Sequence, residues 1–126
     1  MLDRVYWIVP GWTVVFEVIG EVKLDDVREL VDRIKMEVEA EAPSHFVDVF
    51  LDVSRVTGYH PETMNIGKLF GAVKKDERVR WNVIVNPKPH PVLDFVIRTV
   101  CQLFKTQLGI VSSLDDALEF IRAKTV

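Results

Sequence analysis

The strongest constraint on the fold is the order in which two kinds of apolar pattern follow one another along the 126-residue chain. Short runs of β-branched and aromatic residues predict strands, and longer stretches with apolar residues three and four apart predict amphipathic helices. After two opening strands, the two patterns alternate to the last residues. Because strands that alternate with helices are joined by crossover connections, we expect a largely parallel sheet.

The predicted element order is β-β-α-β-α-β-α-β-α, an α/β fold with a mixed, mostly parallel five-stranded sheet and four helices. The opening hairpin turns at Pro10-Gly11, a pair typical of tight turns. The five strands are expected at residues 6–9, 14–19, 46–53, 81–86 and 110–111. The four helices are expected at residues 25–40, from Pro61 to before Lys74, at 92–108 with Gly109 as the C-terminal cap, and after a capping Ser113. At typical domain sizes, residues 1–126 form a single domain.

Composition excludes several classes of protein. Hydrophobic residues make up 48% of the chain and charged residues 28%, which is typical of a globular protein and argues against disorder. The formal net charge of -3 lacks the basic excess of nucleic-acid-binding proteins, so no nucleic-acid partner is predicted. The single cysteine forms no internal disulfide, and no stretch reaches the roughly 20 apolar residues of a membrane span. We therefore expect a cytoplasmic protein with no membrane span.

The candidate site lies at the carboxyl edge of the sheet, where ligands of open α/β sheets bind. Loops predicted at residues 20–24, 54–60, 86–90 and 112–113 leave the strands at this edge. The polar side chains expected to converge there are Asp52, Ser54, Tyr59, His60, Lys88 and His90. His45 is expected at the opposite edge, where we predict no function.

The two histidines at the carboxyl edge raise the question of catalysis, because histidine titrates near neutral pH. Asp52, His60 and Ser54 are the residue types of a nucleophilic triad, but no nucleophile-elbow motif surrounds Ser54. Asp52, His60 and His90 lack the i, i+4 spacing that makes a metal motif specific, and Gly-rich phosphate-binding motifs are absent. We predict no cofactor, no metal and no enzymatic activity. A hydrolase or lyase that uses Asp52, His60 and His90 is an alternative.

Three segments carry a resemblance to a known family. Residues 51–56, Leu-Asp-Val-Ser-Arg-Val, resemble the D-L-S-x-V segment that ends the third strand of STAS domains. Residues 81–85 and 111–118 are similar to the family's fourth strand and to the start of its last helix. With the element order, these segments resemble the STAS domain superfamily, in its SpoIIAA-like branch of small stand-alone domains. The resemblance implies a non-enzymatic regulatory or binding module with a protein partner.

We expect this chain to lack the phosphorylation switch of the family. Anti-sigma-factor antagonists of the sporulation type present D-S-S-G at the start of the second helix, where one serine is phosphorylated. The matching residues 60–63 are His-Pro-Glu-Thr, with neither serine nor glycine. In this alignment Glu62 falls at the phosphoserine position, where the helix dipole would favour its permanent charge. The alternative is that Glu62 is an ordinary first-turn glutamate.

The predicted third helix is apolar over more than one face. Its apolar residues cover more than the roughly 100° stripe that one core contact requires: Val92, Leu93, Phe95, Val96, Ile97, Val100, Cys101, Leu103 and Phe104. A homodimer through this helix, an apolar ligand beneath it, or burial within the monomer would each cover the excess. The alternative function is therefore a carrier of a small apolar or lipid molecule. The three tryptophans and the lipid-holding CRAL-TRIO kin of the SpoIIAA-like domains also motivate this alternative.

Overall fold

Five strands form one sheet, in the order β1-β2-β3-β4-β5. The structure, a computed structural model, describes residues 2–42, 44–60, 78–88, 95, 98 and 107–125. The strands are β1 (Leu2–Val9), β2 (Thr13–Val22), β3 (Val47–Tyr59), β4 (Val79–Val85) and β5 (Gln107–Val111). β1 pairs antiparallel with β2, and the three other pairings are parallel. The predicted α/β fold with a mixed, mostly parallel five-stranded sheet is confirmed.

Two helices are described, α1 (Leu24–Glu41) and α2 (Leu114–Thr125). They correspond to the first and last of the four predicted helices. At the start of α2 the Ser113 hydroxyl accepts a hydrogen bond from the Asp116 N–H at 3.1 Å, as expected of a capping serine. The second predicted helix, from Pro61, lies outside the described residues, and so does most of the third. Within the third, Phe95 and Arg98 are described and both are helical.

The predicted end of the third helix is wrong. β5 begins at Gln107, so the helix ends before this residue, and Gly109 lies within the strand instead of capping the helix. A Cβ atom at Gly109 would lie 2.7 Å from the ring of Phe120 in α2. The glycine therefore lets α2 approach the sheet closely, and its role is in packing.

β3 is longer than predicted, because it continues through residues 54–59, which were expected to form a loop. Beyond Asp52, the described ladder of β3 joins it only to β2, since the pairing with β4 ends at Asp52 and Val85. Two register shifts interrupt this extension, and Gly20 beside it has a φ of 73°. Polar residues and a glycine are typical of loops, but bulges accommodate them in a strand ladder.

The two helices cover opposite faces of the sheet. Alternate side chains of a strand point to opposite faces, and neighbouring residues of β2 and β3 therefore pack against different helices. The face that packs against α1 holds Val14, Phe16 and Val49. The face that packs against α2 holds Val15, Phe50 and Val83. We call them the α1 face and the α2 face. None of the helices within the described ranges is long and apolar enough to cross a membrane.

Candidate functional site

A group of charged side chains lies at the middle of β2, level with the carboxyl end of β4, on the α2 face. Arg4 is opposite Glu17 in the ladder between β1 and β2, and Arg4 Nη2 lies 2.8 Å from Glu17 Oε1. Arg55 Nη2 lies 3.2 Å from Glu17 Oε2 and 2.8 Å from Asp3 Oδ2. Glu17 thus binds two arginines at once. We call Asp3, Arg4, Glu17 and Arg55 the ion-pair cluster.

The ion-pair cluster is open to solvent on its arginine side. The side chains of Arg4 and Arg55 are 62% and 57% exposed, whereas Glu17 is 13% exposed. The hydrogen bond to Glu17, and then the attraction between the charges, raises the pKa of Arg4. The Arg4 guanidinium also lies 4.4 Å from the centre of the Tyr6 ring, at a cation–π distance. Two charged guanidinium groups are therefore held in place at the surface.

Of the predicted site residues, Asp52 and Ser54 are in direct contact. The Ser54 N–H and hydroxyl both donate to Asp52 Oδ1, at 3.0 and 2.6 Å. Such a contact two residues along the chain is typical of a local turn stabilised by aspartate. It coincides with the first register shift between β2 and β3, after Glu17. Asp52 therefore stabilises the bulge from which the extension of β3 begins.

Tyr59 and His60 lie at the far end of that extension. Tyr59 lies seven positions after Asp52 in the strand, which corresponds to roughly 20 Å at the usual rise of a strand. Tyr59 packs with Val22 and Val53 in a core cluster next to α1, so the sheet itself separates it from the α2 face. The His60 N–H donates to the Val22 carbonyl at 2.8 Å. The structure does not bring these two residues to Asp52.

Lys88 is exposed in the turn after β4, where its N–H donates to Asn86 Oδ1 at 3.0 Å. Because Val85 pairs with Asp52, Lys88 lies at the same edge of the sheet as the Asp52–Ser54 pair. Glu62 and His90 lie outside the described residues, and their place at this edge stays a prediction. In the part of the chain that the structure describes, no three His, Cys, Asp or Glu side chains group in a way that could hold a metal ion.

The ion-pair cluster was not predicted from the sequence, although the sequence does indicate one of its contacts, that between Arg4 and Glu17. Counting outward from the Pro10-Gly11 turn places Arg4 opposite Glu17, the pairing that the structure has. Arg55 has no such signal, because it reaches Glu17 only through the parallel pairing of β2 with β3 and the shift in their register.

Comparison with solved structures bears on the fold. An uncharacterized protein of the DUF3478 family from Shewanella loihica, with a SpoIIAA-like fold, matches at a TM-score of 0.60 and 9% sequence identity, over 95% of this chain and 91% of that chain. The anti-sigma factor antagonist SpoIIAA in its unphosphorylated form matches at a TM-score of 0.55 and 16% identity, over 97% of this chain and 98% of that chain. The chain has the SpoIIAA-like fold.

The SpoIIAA-like fold confirms the resemblance to STAS domains at the level of architecture. No protein-family model matches the sequence, and no curated protein matches it either. Both structural matches extend over nearly the whole of both chains, so the shared architecture includes the opening hairpin as well as the parallel strands.

Proposed function

We propose that this protein is a non-enzymatic regulatory module that binds a protein partner at the carboxyl edge of its sheet. The observation that carries the proposal is the ion-pair cluster, in which Glu17 of β2 holds two exposed arginines from the strands on either side, β1 and β3. Arginine is enriched at protein interfaces, where its planar group donates several hydrogen bonds. Side chains that are ordered before binding lose less conformational entropy when the partner arrives.

The fold and the local contacts support the same proposal. One of the structures that the chain resembles is an anti-sigma factor antagonist, a protein named for its action on another protein. The Ser54 hydroxyl donates to Asp52, and a serine in that arrangement stabilises the bulge of β3. A hydrolytic serine would instead donate to a histidine base.

The proposed binding does not depend on a serine phosphorylation switch. The positions that match the family's switch are residues 60–63, His-Pro-Glu-Thr, and Glu62 would supply a constant negative charge there. Phosphopeptide mass spectrometry of protein from its native cell should therefore find no phosphate on residues 61–63. A peptide phosphorylated at Thr63 would contradict this part of the proposal.

The binding proposal is tested by quantitative affinity capture from native lysate. Arg55→Ala removes one exposed guanidinium from the ion-pair cluster, and we expect it to reduce the amount of a specific captured protein about tenfold or more. The matched control is Arg28→Ala, an exposed arginine of α1 on the other side of the sheet, which should leave capture unchanged. Equal capture by both variants, or no captured protein together with a monomeric mass in solution, would count against the proposal.

The alternative proposal is a carrier of a small apolar or lipid molecule. Phe95, a helical residue of the apolar segment 92–104, is exposed, and an apolar ligand next to it would cover its ring. Native mass spectrometry after gentle purification should then show a bound mass. A clean mass for the protein alone, with no change in tryptophan fluorescence on adding fatty acids, would remove this alternative.

A homodimer through the same helix is proposed on the same observation. Light scattering should give twice the mass of the chain, and Phe95→Ser should shift the mass towards that of a monomer, because it removes an aromatic contact from the interface. A monomeric mass for the unmodified protein would remove the homodimer.

We also propose a cytoplasmic location for the protein, which fractionation of native cells tests.

A further inference from the structure

Apolar side chains are exposed at the turn between β1 and β2 and in the segment just before β3. Trp12 is 56% exposed and Phe46 is 60% exposed, and Val9 at the end of β1 is also exposed. The Trp12 and His45 rings lie 4.1 Å apart, centre to centre. Phe46 follows His45 directly in the chain. We call Val9, Trp12, His45 and Phe46 the hairpin patch.

The hairpin patch is held in a fixed conformation by backbone hydrogen bonds. The Trp12 N–H donates to the Val9 carbonyl at 3.0 Å, and the Trp12 carbonyl accepts from the Asp48 N–H at 2.9 Å. Gly11, with a φ of 77°, allows the tight turn between them. His45 Nε2 is hydrogen-bonded to the Gly11 carbonyl. The backbone of Trp12 is thus fixed by hydrogen bonds to β1 and β3, and its indole ring lies against the His45 ring.

Exposed aromatic side chains on such a fixed turn are typical of an interaction surface. Scattered single apolar residues are normal on any protein, whereas grouped ones mark binding sites. Tryptophan is among the residues that contribute most to binding at interfaces. The other two tryptophans of the chain have internal contacts: Trp7 donates to Glu37 of α1, and the Trp81 ring packs edge-on against Phe120. Trp7 and Trp81 are only partly exposed, whereas Trp12 is exposed even though its ring contacts His45.

Among the described residues, the charged side chains near the hairpin patch include Glu39 and Glu41 of α1, and two arginines, Arg78 and Arg80, which bind Glu39 and Asp48. The end of α1 packs against the start of β3, since Val38, Ala42 and Val47 form one buried cluster. This brings the last turn of α1 next to Phe46, and that turn contains Glu39 and Glu41 and no basic residue. The C-terminal end of a helix dipole is itself negative. Arg78 binds Glu39 at 2.8 Å and offsets part of this charge, while Glu41 is exposed.

We propose that the hairpin patch docks a segment of a partner protein that combines apolar side chains with lysine or arginine. The apolar side chains cover Trp12 and Phe46, and the basic ones complement Glu39, Glu41 and the end of α1. This surface lies at the amino end of β3, at the opposite edge from the ion-pair cluster, and it does not depend on the function proposed above. An anionic membrane surface does not fit, because acidic side chains and anionic headgroups repel each other.

The first test selects ligands from a phage-displayed library of random peptides. The wild-type protein is the bait, and the variants Trp12→Ala and Phe46→Ser are used to remove peptides that bind elsewhere. We expect the peptides that bind only the wild type to be rich in lysine and arginine together with aromatic or branched apolar residues. Recovery of no such peptides, or of acidic ones, would overturn the proposal.

The second test measures the affinity of one selected peptide by fluorescence anisotropy. Trp12→Ala and Phe46→Ser should each weaken binding about tenfold or more, and the double variant Glu39→Lys/Glu41→Lys should weaken it to a similar extent. Ile110→Ser, which removes an exposed apolar side chain from β5 at the far edge of the sheet, should leave the affinity unchanged. Thermal unfolding of each variant shows whether it is folded, and the exposed position of both aromatic rings predicts that it is.

Vesicles of phosphatidylcholine with phosphatidylserine distinguish a membrane from a protein partner. We expect no binding of the wild-type protein to these vesicles in a sedimentation assay. Vesicle binding that disappears in Trp12→Ala would overturn the proposal in favour of a membrane surface. Equal peptide affinity for the wild type, Trp12→Ala and Phe46→Ser would overturn it altogether.

Discussion

Asp48 and Glu17 each hold an arginine on the α2 face of the sheet, at opposite ends of the segment in which β2, β3 and β4 are all paired. Asp48 is 3% exposed and binds Arg80 in a fork, with Nε at 3.1 Å from Oδ1 and Nη2 at 2.7 Å from Oδ2. These hydrogen bonds raise the pKa of Arg80 although its partial burial acts in the opposite direction. Glu17 instead divides its two oxygens between Arg4 and Arg55, whose guanidinium groups remain in solvent.

The same chemistry therefore has two different consequences. A buried carboxylate needs its arginine, because the charge that is left when the partner is removed has lost its hydration. An exposed ion pair contributes little to stability, because water and salt screen it and two long side chains must be ordered. The pair at Asp48 is suited to fixing the register of β3 and β4, and the cluster at Glu17 is suited to meeting a partner.

The largest expected effect is that of Asp48→Ala. We expect a loss of about 3 kcal/mol in the free energy of unfolding, because the two charge-assisted hydrogen bonds of the fork are lost and Arg80, 37% exposed, regains only part of its hydration. Urea denaturation followed by circular dichroism measures it. The double variant Asp48→Leu/Arg80→Met should recover most of the loss, since an apolar pair needs no partner charges. A loss below about 1 kcal/mol for Asp48→Ala would remove the distinction between the two pairs.

A smaller loss of stability, about 2 kcal/mol, is expected for Gly109→Ala, because the new Cβ would overlap the Phe120 ring. This substitution tests whether α2 is fixed over the strands that it covers, β3 to β5. The matched control is Gly58→Ala in β3, where the Cβ atom meets nothing within 4 Å. Chemical denaturation should place the control within about 0.5 kcal/mol of the wild type. A loss for Gly109→Ala as small as that of the control would show that α2 shifts to make room for the new Cβ atom.

The next largest loss in the free energy of unfolding is expected from substitutions at the bulge of β3. Asp52→Ala removes the acceptor for both the Ser54 N–H and the Ser54 hydroxyl, and we expect a loss of about 1 kcal/mol. Ser54→Ala keeps the bond to the N–H and should cost less. Hydrogen exchange of the amides in residues 54–59 should speed up in the first variant more than in the second. Unchanged exchange in both would show that the register shift does not need Asp52.

The smallest effect on stability is expected for Arg55→Ala. The free energy of unfolding should fall by no more than about 0.5 kcal/mol in physiological salt, because the removed side chain is largely in solvent. In 1 M NaCl even this difference should shrink, whereas that of Asp48→Ala should persist, because salt screens buried pairs less. Denaturation in both salt concentrations measures the two differences. A loss from Arg55→Ala as large as that from Asp48→Ala would assign the ion-pair cluster to folding.

The sequence by itself determined the elements whose signals are local. α1 was predicted at 25–40 and spans Leu24–Glu41, because a helix repeats its apolar face within a few residues. The hairpin was predicted from Pro10-Gly11, which is where the turn lies. The contact of Asp52 with Ser54 is also local, but its role in a bulge shows only in the ladder with β2. The α/β class and the order of the strands along the chain follow from the same local signals, whereas their order within the sheet does not.

Only the tertiary structure decided which side chains meet. Glu17 and Arg55 are 38 residues apart in the chain, and Asp48 and Arg80 are 32 residues apart. Their contacts depend on the register between parallel strands, and no short-range pattern specifies that register. The extension of β3 has the same origin, since pairing with β2 keeps polar residues 54–59 in a strand. It leaves Tyr59 on the α1 face, away from Asp52. Tyr59 lies seven positions after Asp52, and the two bulges, each of which changes the face of the side chains that follow, cancel.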